Sequence, residues 1–271
     1  MKEHQNLPDI DRFSVIMALI LIAYSLTAVI SFPKQSVNIQ LPGFLLALEI
    51  DFLTIVSVIV AVMAASGCDW LINEHPFLEK STRWYHWLIP AMTALVIGVP
   101  LDVLQVSPAW WGVFALGGIL LGAVLLSEYI SVDPSDNRSP LAIISLTAVS
   151  MGLLLTLLIA LRGSGQRLYI ILAAIAPATF LVAARCLMLR TSDVWKPVWA
   201  LGIAIVVTEV AAGLYYLPLL PIQFGLILLG IVFALITFAG NIEESRSSIR
   251  LWMEPALLLL VFCVSGLFFF R

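Results

Sequence analysis

Between Lys196 and the tyrosine pair Tyr215 and Tyr216 the chain runs through about 20 apolar residues, the length an α-helix needs to cross a hydrocarbon layer ~30 Å thick. Trp195, Lys196 and Pro197 open this run, and the tyrosines close it before Leu217 and Pro218. A basic anchor thus stands at one end and aromatic anchors at the other, where interface residues belong. The stretch reads as a transmembrane helix. It also carries Glu209, about 13 residues past Lys196 and so about 20 Å along the axis.

Runs of the same kind recur along the chain and decide the fold class. The sequence predicts an all-α, polytopic transmembrane helical bundle of about nine helices, a single integral-membrane domain over residues 1–271. The expected spans are 13–32, 52–68, 85–104, 108–126, 141–161, 168–189, 196–217, 222–239 and 255–270. Composition agrees: 61% of residues are hydrophobic and 11% charged, against about 45–50% and 25% in soluble domains. At about 20 residues per span, 271 residues leave no room for a sizeable soluble domain. The first run is too long for a signal-peptide core and lacks a small-x-small cleavage site, so it stays as a span.

Several segments between and within the spans constrain the threading. From Pro33 to Asp51, apolar Val37, Ile39 and Leu41 alternate with polar residues, Pro42-Gly43 supplies turn chemistry, and Leu46, Leu48 and Ile50 alternate again. This reads as a short extracytoplasmic β-hairpin or extended loop. The competing reading starts the second helix at Leu41 and carries Glu49 and Asp51 toward the membrane centre, which is costly. Asp69 to Trp84 is a polar connection, Ser127 to Pro140 a turn-rich linker and Arg162 to Arg167 a tight turn. Pro90, Pro100 and Pro177 break backbone ladders. Gly118 and Gly122 form a small-xxx-small pair that lets another helix approach, and Arg185 near the end of its span is placed to snorkel outward.

Ten of the 14 Lys and Arg residues fall on one side if the N-terminus is cytoplasmic. This predicts a bacterial-type cytoplasmic membrane protein with its N-terminus inside and its C-terminus outside. A net charge of -3 without a basic block argues against nucleic acid as a partner. Cys68, Cys186 and Cys263 are scattered among apolar runs and suggest inert buried thiols, not a disulfide framework.

Glu209 is the foremost candidate for function, because an acid at that depth costs roughly 2.5 kcal/mol or more unless it is paired, hydrated or protonated. On the expected threading, Asp102, Gln105, Tyr215 and Tyr216 lie in the same half of the membrane. Together they suggest an outward-facing polar pocket that binds a cation or amine, or carries a coupling proton. The plainer reading is a glutamate bonded to a nearby Thr or Tyr, or paired with Arg162 or Arg167, for helix packing. His86, flanked by Trp84, Tyr85 and Trp87, and His75 before it could ligate a metal together with Asp69, Glu74 and Glu79, or His86 could hold a tetrapyrrole. Their spacing matches no metal motif, and interface residues are the favoured reading. No metal site and no cofactor is specified by these residues. Nucleophile, zincin, Walker and dinucleotide signatures are absent, which argues against catalysis.

The run His75-Pro76, then Trp84 to Trp87, then Pro90 to Pro100 resembles a segment of uncharacterised bacterial multi-spanning membrane proteins. The resemblance covers about 30 residues and implies a membrane fold without an activity. Two functions remain. The first is a non-catalytic helical subunit or scaffold that packs against partner membrane proteins or further copies of itself in the bilayer; the second is a small-solute transporter or receptor built around Glu209.

Overall fold

A computed structural model describes residues 8–30, 35–41, 44–73, 75, 84–133, 135–191, 195–244 and 248–268. Among the described residues the order is α1 (Ile10–Val29), β1 (Gln35–Leu41), β2 (Phe44–Ile50), α2 (Phe52–Ile72), a 3-10 turn (Trp84–Trp87), α3 (Leu88–Val103), α4 (Pro108–Ser131), α5 (Ser139–Gly163), α6 (Leu168–Arg190), α7 (Pro197–Tyr215), α8 (Pro221–Glu243) and α9 (Ser248–Phe268). Among the described residues, eight helices are long and apolar enough to cross a membrane, and α9 holds a shorter apolar stretch, Leu251–Leu267. The protein is a multi-pass, all-α membrane protein.

The residues that start these helices explain their bounds. Asp9 caps α1 by accepting from the Asp11 N–H at 3.0 Å, which sets that helix three residues earlier than hydropathy suggests. The strands pair antiparallel from Gln35 with Ile50 to Leu41 with Phe44, so the hairpin reading holds and α2 does not begin at Leu41. Its turn residues, Pro42 and Gly43, lie outside the described residues. Asp51 then ends the hairpin and caps α2, accepting from the Thr54 N–H at 2.7 Å and its hydroxyl at 2.6 Å. A carboxylate that looked costly inside a helix is instead its first hydrogen-bond acceptor. Ser107 and Pro108 open α4 in the same way.

Several helices outrun the apolar stretches that predict them. α2 continues past Cys68 to Ile72, α4 past Leu126 to Ser131, α8 past Ala239 to Glu243, and α9 begins at Ser248 with Pro255 inside. Hydropathy marks where lipid ends; the backbone ladder continues until a turn residue or an unsatisfied donor stops it.

The chain divides into two compact units, Met1–Ile143 and Ile144–Arg271. In the first, α1, α2, α3 and α4 enclose a core containing Ile20, Val60, Ala64, Leu121 and Leu125. The buried Tyr24 hydroxyl donates to the Ala94 carbonyl. One turn on, a Cβ at Gly98 would overlap Ser57, so α2 and α3 meet almost backbone to backbone. Gly118 and Gly122 receive Leu21, Phe13 and Met17 of α1, the close approach that their spacing implies.

In the second unit, Gly230 of α8 lies against Phe262 of α9. Polar groups join the helix ends: Arg190 Nε donates to Glu244 at 2.7 Å and Nη2 to Asn241 at 2.7 Å, and Asn241 donates to Glu254 at 3.2 Å. Lys196 pairs with Glu243, which also accepts from the Trp199 indole at 3.0 Å. Arg185 departs from expectation. Only 1% of it is exposed, because α6 turns that face into the protein and leaves no path along which the guanidinium could snorkel.

Candidate functional site

Glu209 sits 12 residues into α7, about 18 Å along a helix of about 28 Å. The helix buries Ala200, Ile203, Ala204, Val207 and Ala211. Its opposite face, with Val198, Leu201, Ile205 and Val206, is exposed, and Glu209 belongs to that face. With Ala176, Pro177 and Phe180 of α6, the α7 residues Leu201, Ala204, Ile205, Thr208 and Glu209 line a groove of about 450 Å³. Apart from Glu209, the groove offers almost nothing polar. The Thr208 hydroxyl already donates to the Ala204 carbonyl at 2.6 Å, and Pro177 contributes no N–H. Gly202 and Gly213 lie on the same stripe as Glu209, seven residues before it and four after it. Nothing stands within 4 Å of where their Cβ atoms would be.

Among the described residues no hydrogen bond or ion pair engages Glu209. Arg162 is occupied elsewhere: Nη2 donates to the Leu217 carbonyl at 3.2 Å, and the guanidinium covers the Tyr215 ring at 5.0 Å and the Phe224 ring at 5.7 Å. Tyr215 donates to the Gln166 carbonyl at 3.3 Å and packs edge-on against Tyr216, with ring centroids 5.6 Å apart. Tyr215 lies six residues beyond Glu209, about 9 Å along the axis and on a different face, so the two do not share a pocket. Asp102 and Gln105 are exposed at the end of α3 and in the turn after it, within the first unit. Glu209 and the tyrosines belong to the second.

His86 meets Glu128, a residue not among the candidates named from the sequence. His86 Nδ1 lies 2.7 Å from Glu128 Oε2, and the side chains are 4% and 0% exposed. Glu128 falls in the stretch read as a linker from Ser127 onward, but α4 runs through it and buries it. Its signal was helical spacing: Leu121, Val124, Leu125, Glu128 and Tyr129 recur at one face, and no breaker appears before Pro134. Cys68 Sγ donates to the His86 carbonyl at 3.4 Å, and the Tyr85 and His86 rings lie 4.3 Å apart at a tilt of 40°. His75 is buried edge-on against Tyr129, with centroids 4.8 Å apart. Burial lowers the His75 pKa, against the pull of the Asp133 and Asp136 carboxylates and with some help from His86. Asp69 accepts from Asn73 at 3.0 Å, while Glu74 and Glu79 lie outside the described residues. No three His, Cys, Asp or Glu side chains converge as metal ligands among the described residues. The cluster is a buried contact between His86 and Glu128 with His75 also buried, against Tyr129.

A family model of proteins of unknown function, DUF5656, matches residues 32–269, from just before the hairpin to the last turn of α9. The chain belongs to this family. The match includes the stretch from His75 to Pro100 that resembles uncharacterised membrane proteins, and it brings no chemistry with it. Neither a curated protein nor a solved structure matches the chain. What this DUF5656 member does must therefore be argued from its own side chains.

Proposed function

We propose that the protein is a non-catalytic helical subunit or scaffold of the membrane, and that the outward face of α7 is where a partner helix packs. One observation carries this reading. Glu209 is exposed at the side of α7, within the helix and about 9 Å from its nearer end, between two glycines that leave the backbone open. Left facing acyl chains, an ionised carboxylate costs about 2.5–3.5 kcal/mol. A helix seated there would supply a donor and exclude lipid, and glycines permit the close approach that such packing uses. His86 and Glu128, an acid–base pair in direct contact, are buried, with side chains 4% and 0% exposed. The distribution of Lys and Arg supports an N-terminus inside, a C-terminus outside and residence in a bacterial-type cytoplasmic membrane. A reporter fused after Arg271 that works only in the cytoplasm refutes that orientation.

The test of docking is a photo-crosslinking residue at Val206 in native membranes. A discrete protein adduct that Gly202→Leu abolishes is the expected result; adducts with lipid alone overturn the reading. The groove itself favours a second reading, a small-solute carrier or receptor, because about 450 Å³ falls within the range of ligand pockets, about 300–1,000 Å³. Uptake or thermal shift against a panel of amines, with Glu209→Gln alongside, separates the two. If the two proteins behave alike across the panel, the solute reading fails.

A further inference from the structure

We infer that the helix seated on α7 carries a basic side chain at the depth of Glu209, so that docking is specified by one ion pair inside the membrane. The inference rests on the docking reading above and names the partner's chemistry. The groove beside Glu209 is lined by apolar groups, and the carboxylate has no counter-charge among the described residues. The complement to such a surface is apolar with a single cation or strong N–H donor. Lipid cannot provide it: Glu209 lies about 18 Å from one end of α7 and about 9 Å from the other, at a level where acyl chains have no donors. A second copy of this chain is a poor complement, because a parallel pair brings the Glu209 carboxylates together, and like charges in one site oppose ionisation of both.

The spacing of the face also fits a helix. Gly202, Val206, Glu209 and Gly213 recur at intervals of four, three and four, so they share one face of α7 along which a second helix can lie. A partner helix on this face sets its backbone on Gly202 and Gly213 and its side chains around Val206. Its residue nearest Glu209 is then enclosed by both helices, where an ion pair is screened little by water. A lysine or arginine there reaches the carboxylate with its apolar stem still in contact with the groove.

The experiment uses the full chain in lipid nanodiscs and synthetic transmembrane helices of about 21 leucine and alanine residues, identical except for a central Lys, Leu or Glu. Association is read by energy transfer from a dye on the protein to one on the peptide. The expected result is that the Lys peptide binds about tenfold or more tighter than the Leu peptide. Glu209→Gln erases that difference, and Glu209→Lys transfers the preference to the Glu peptide. Gly202→Leu removes binding of all three. Because Glu209 is exposed, its variants leave no hole, and an unchanged thermal midpoint verifies that they fold. Equal affinity of the Lys and Leu peptides overturns the ion pair while leaving docking intact. Absence of binding by any peptide, together with lipid-only crosslinks at Val206, overturns both. Self-association of the protein that blocks the Lys peptide assigns the face to a second copy and overturns the inference.

Discussion

The His86–Glu128 pair allows the sharpest test of how the first unit is held together. Its nitrogen and oxygen lie 2.7 Å apart with side-chain exposures of 4% and 0%, so no solvent discount applies. Glu128→Leu and His86→Leu each remove one half of this buried contact and leave the other half facing an apolar side chain. Removing one partner of a buried pair costs about 3–5 kcal/mol, whereas replacing both with apolar groups of similar volume is often neutral or stabilising. The two single variants should therefore each lose about 3–5 kcal/mol and the double variant much less than their sum. With single losses of about 3–5 kcal/mol each and a double variant near neutral, the coupling in a double-mutant cycle should exceed the ~3 kcal/mol at the top of the usual range for residues in contact. Glu128→Gln keeps a polar group of the same shape opposite His86 Nδ1 and should cost about 1 kcal/mol, the value of an ordinary hydrogen bond. The assay is reversible unfolding of the purified protein in mixed micelles, followed by tryptophan fluorescence, with Trp87 next to His86 as a local reporter. Single variants that cost under 1 kcal/mol and add without coupling would refute the reasoning, because a pair sealed from water cannot be that indifferent to losing half of itself.

Gly230→Ala sets packing against propensity: alanine gains up to about 1 kcal/mol in a helix, but a Cβ there would overlap the Phe262 Cβ and stand 3.2 Å from its Cγ. Overpacking of about 1–3 kcal/mol should win, giving a net loss in the same unfolding assay, while Gly213→Ala, with nothing within 4 Å, should lose nothing. His75 gives a pH dependence. Burial holds its pKa below the ordinary 6.5, so the unfolded chain binds more protons near and below that value, and stability is full above it and declines as pH falls through it. The thermal midpoint of the wild type should drop between about pH 7.5 and 5.5, and His75→Phe, which keeps an aromatic ring against Tyr129, should drop less; equal drops would clear His75.

What the sequence disclosed and what it hid are separated by one physical fact, which the two glutamates illustrate. Hydropathy measures the average cost of transferring a segment into lipid, and for that purpose a helix has no faces. The helices and their approximate limits were legible for this reason, as was the hairpin, whose alternation and Pro-Gly turn are local. Glu209 stood out because its sequence neighbours are all apolar, yet those neighbours lie mostly on other faces, and the structure leaves the carboxylate at the surface. Glu128 was overlooked because Ser127, Asp133 and Pro134 surround it in sequence, yet it has the least accessible carboxylate among those described. In water, burial of an apolar stripe would have oriented both helices and made both outcomes readable. In lipid the surroundings are as apolar as the core, and a helix turns inward whichever side finds small residues to pack or polar groups to satisfy. Glu128 found His86 across 42 residues of sequence, a contact that only the fold supplies. Glu209 found no such partner among the described residues of its own unit, and the docking proposed above supplies one from a second helix.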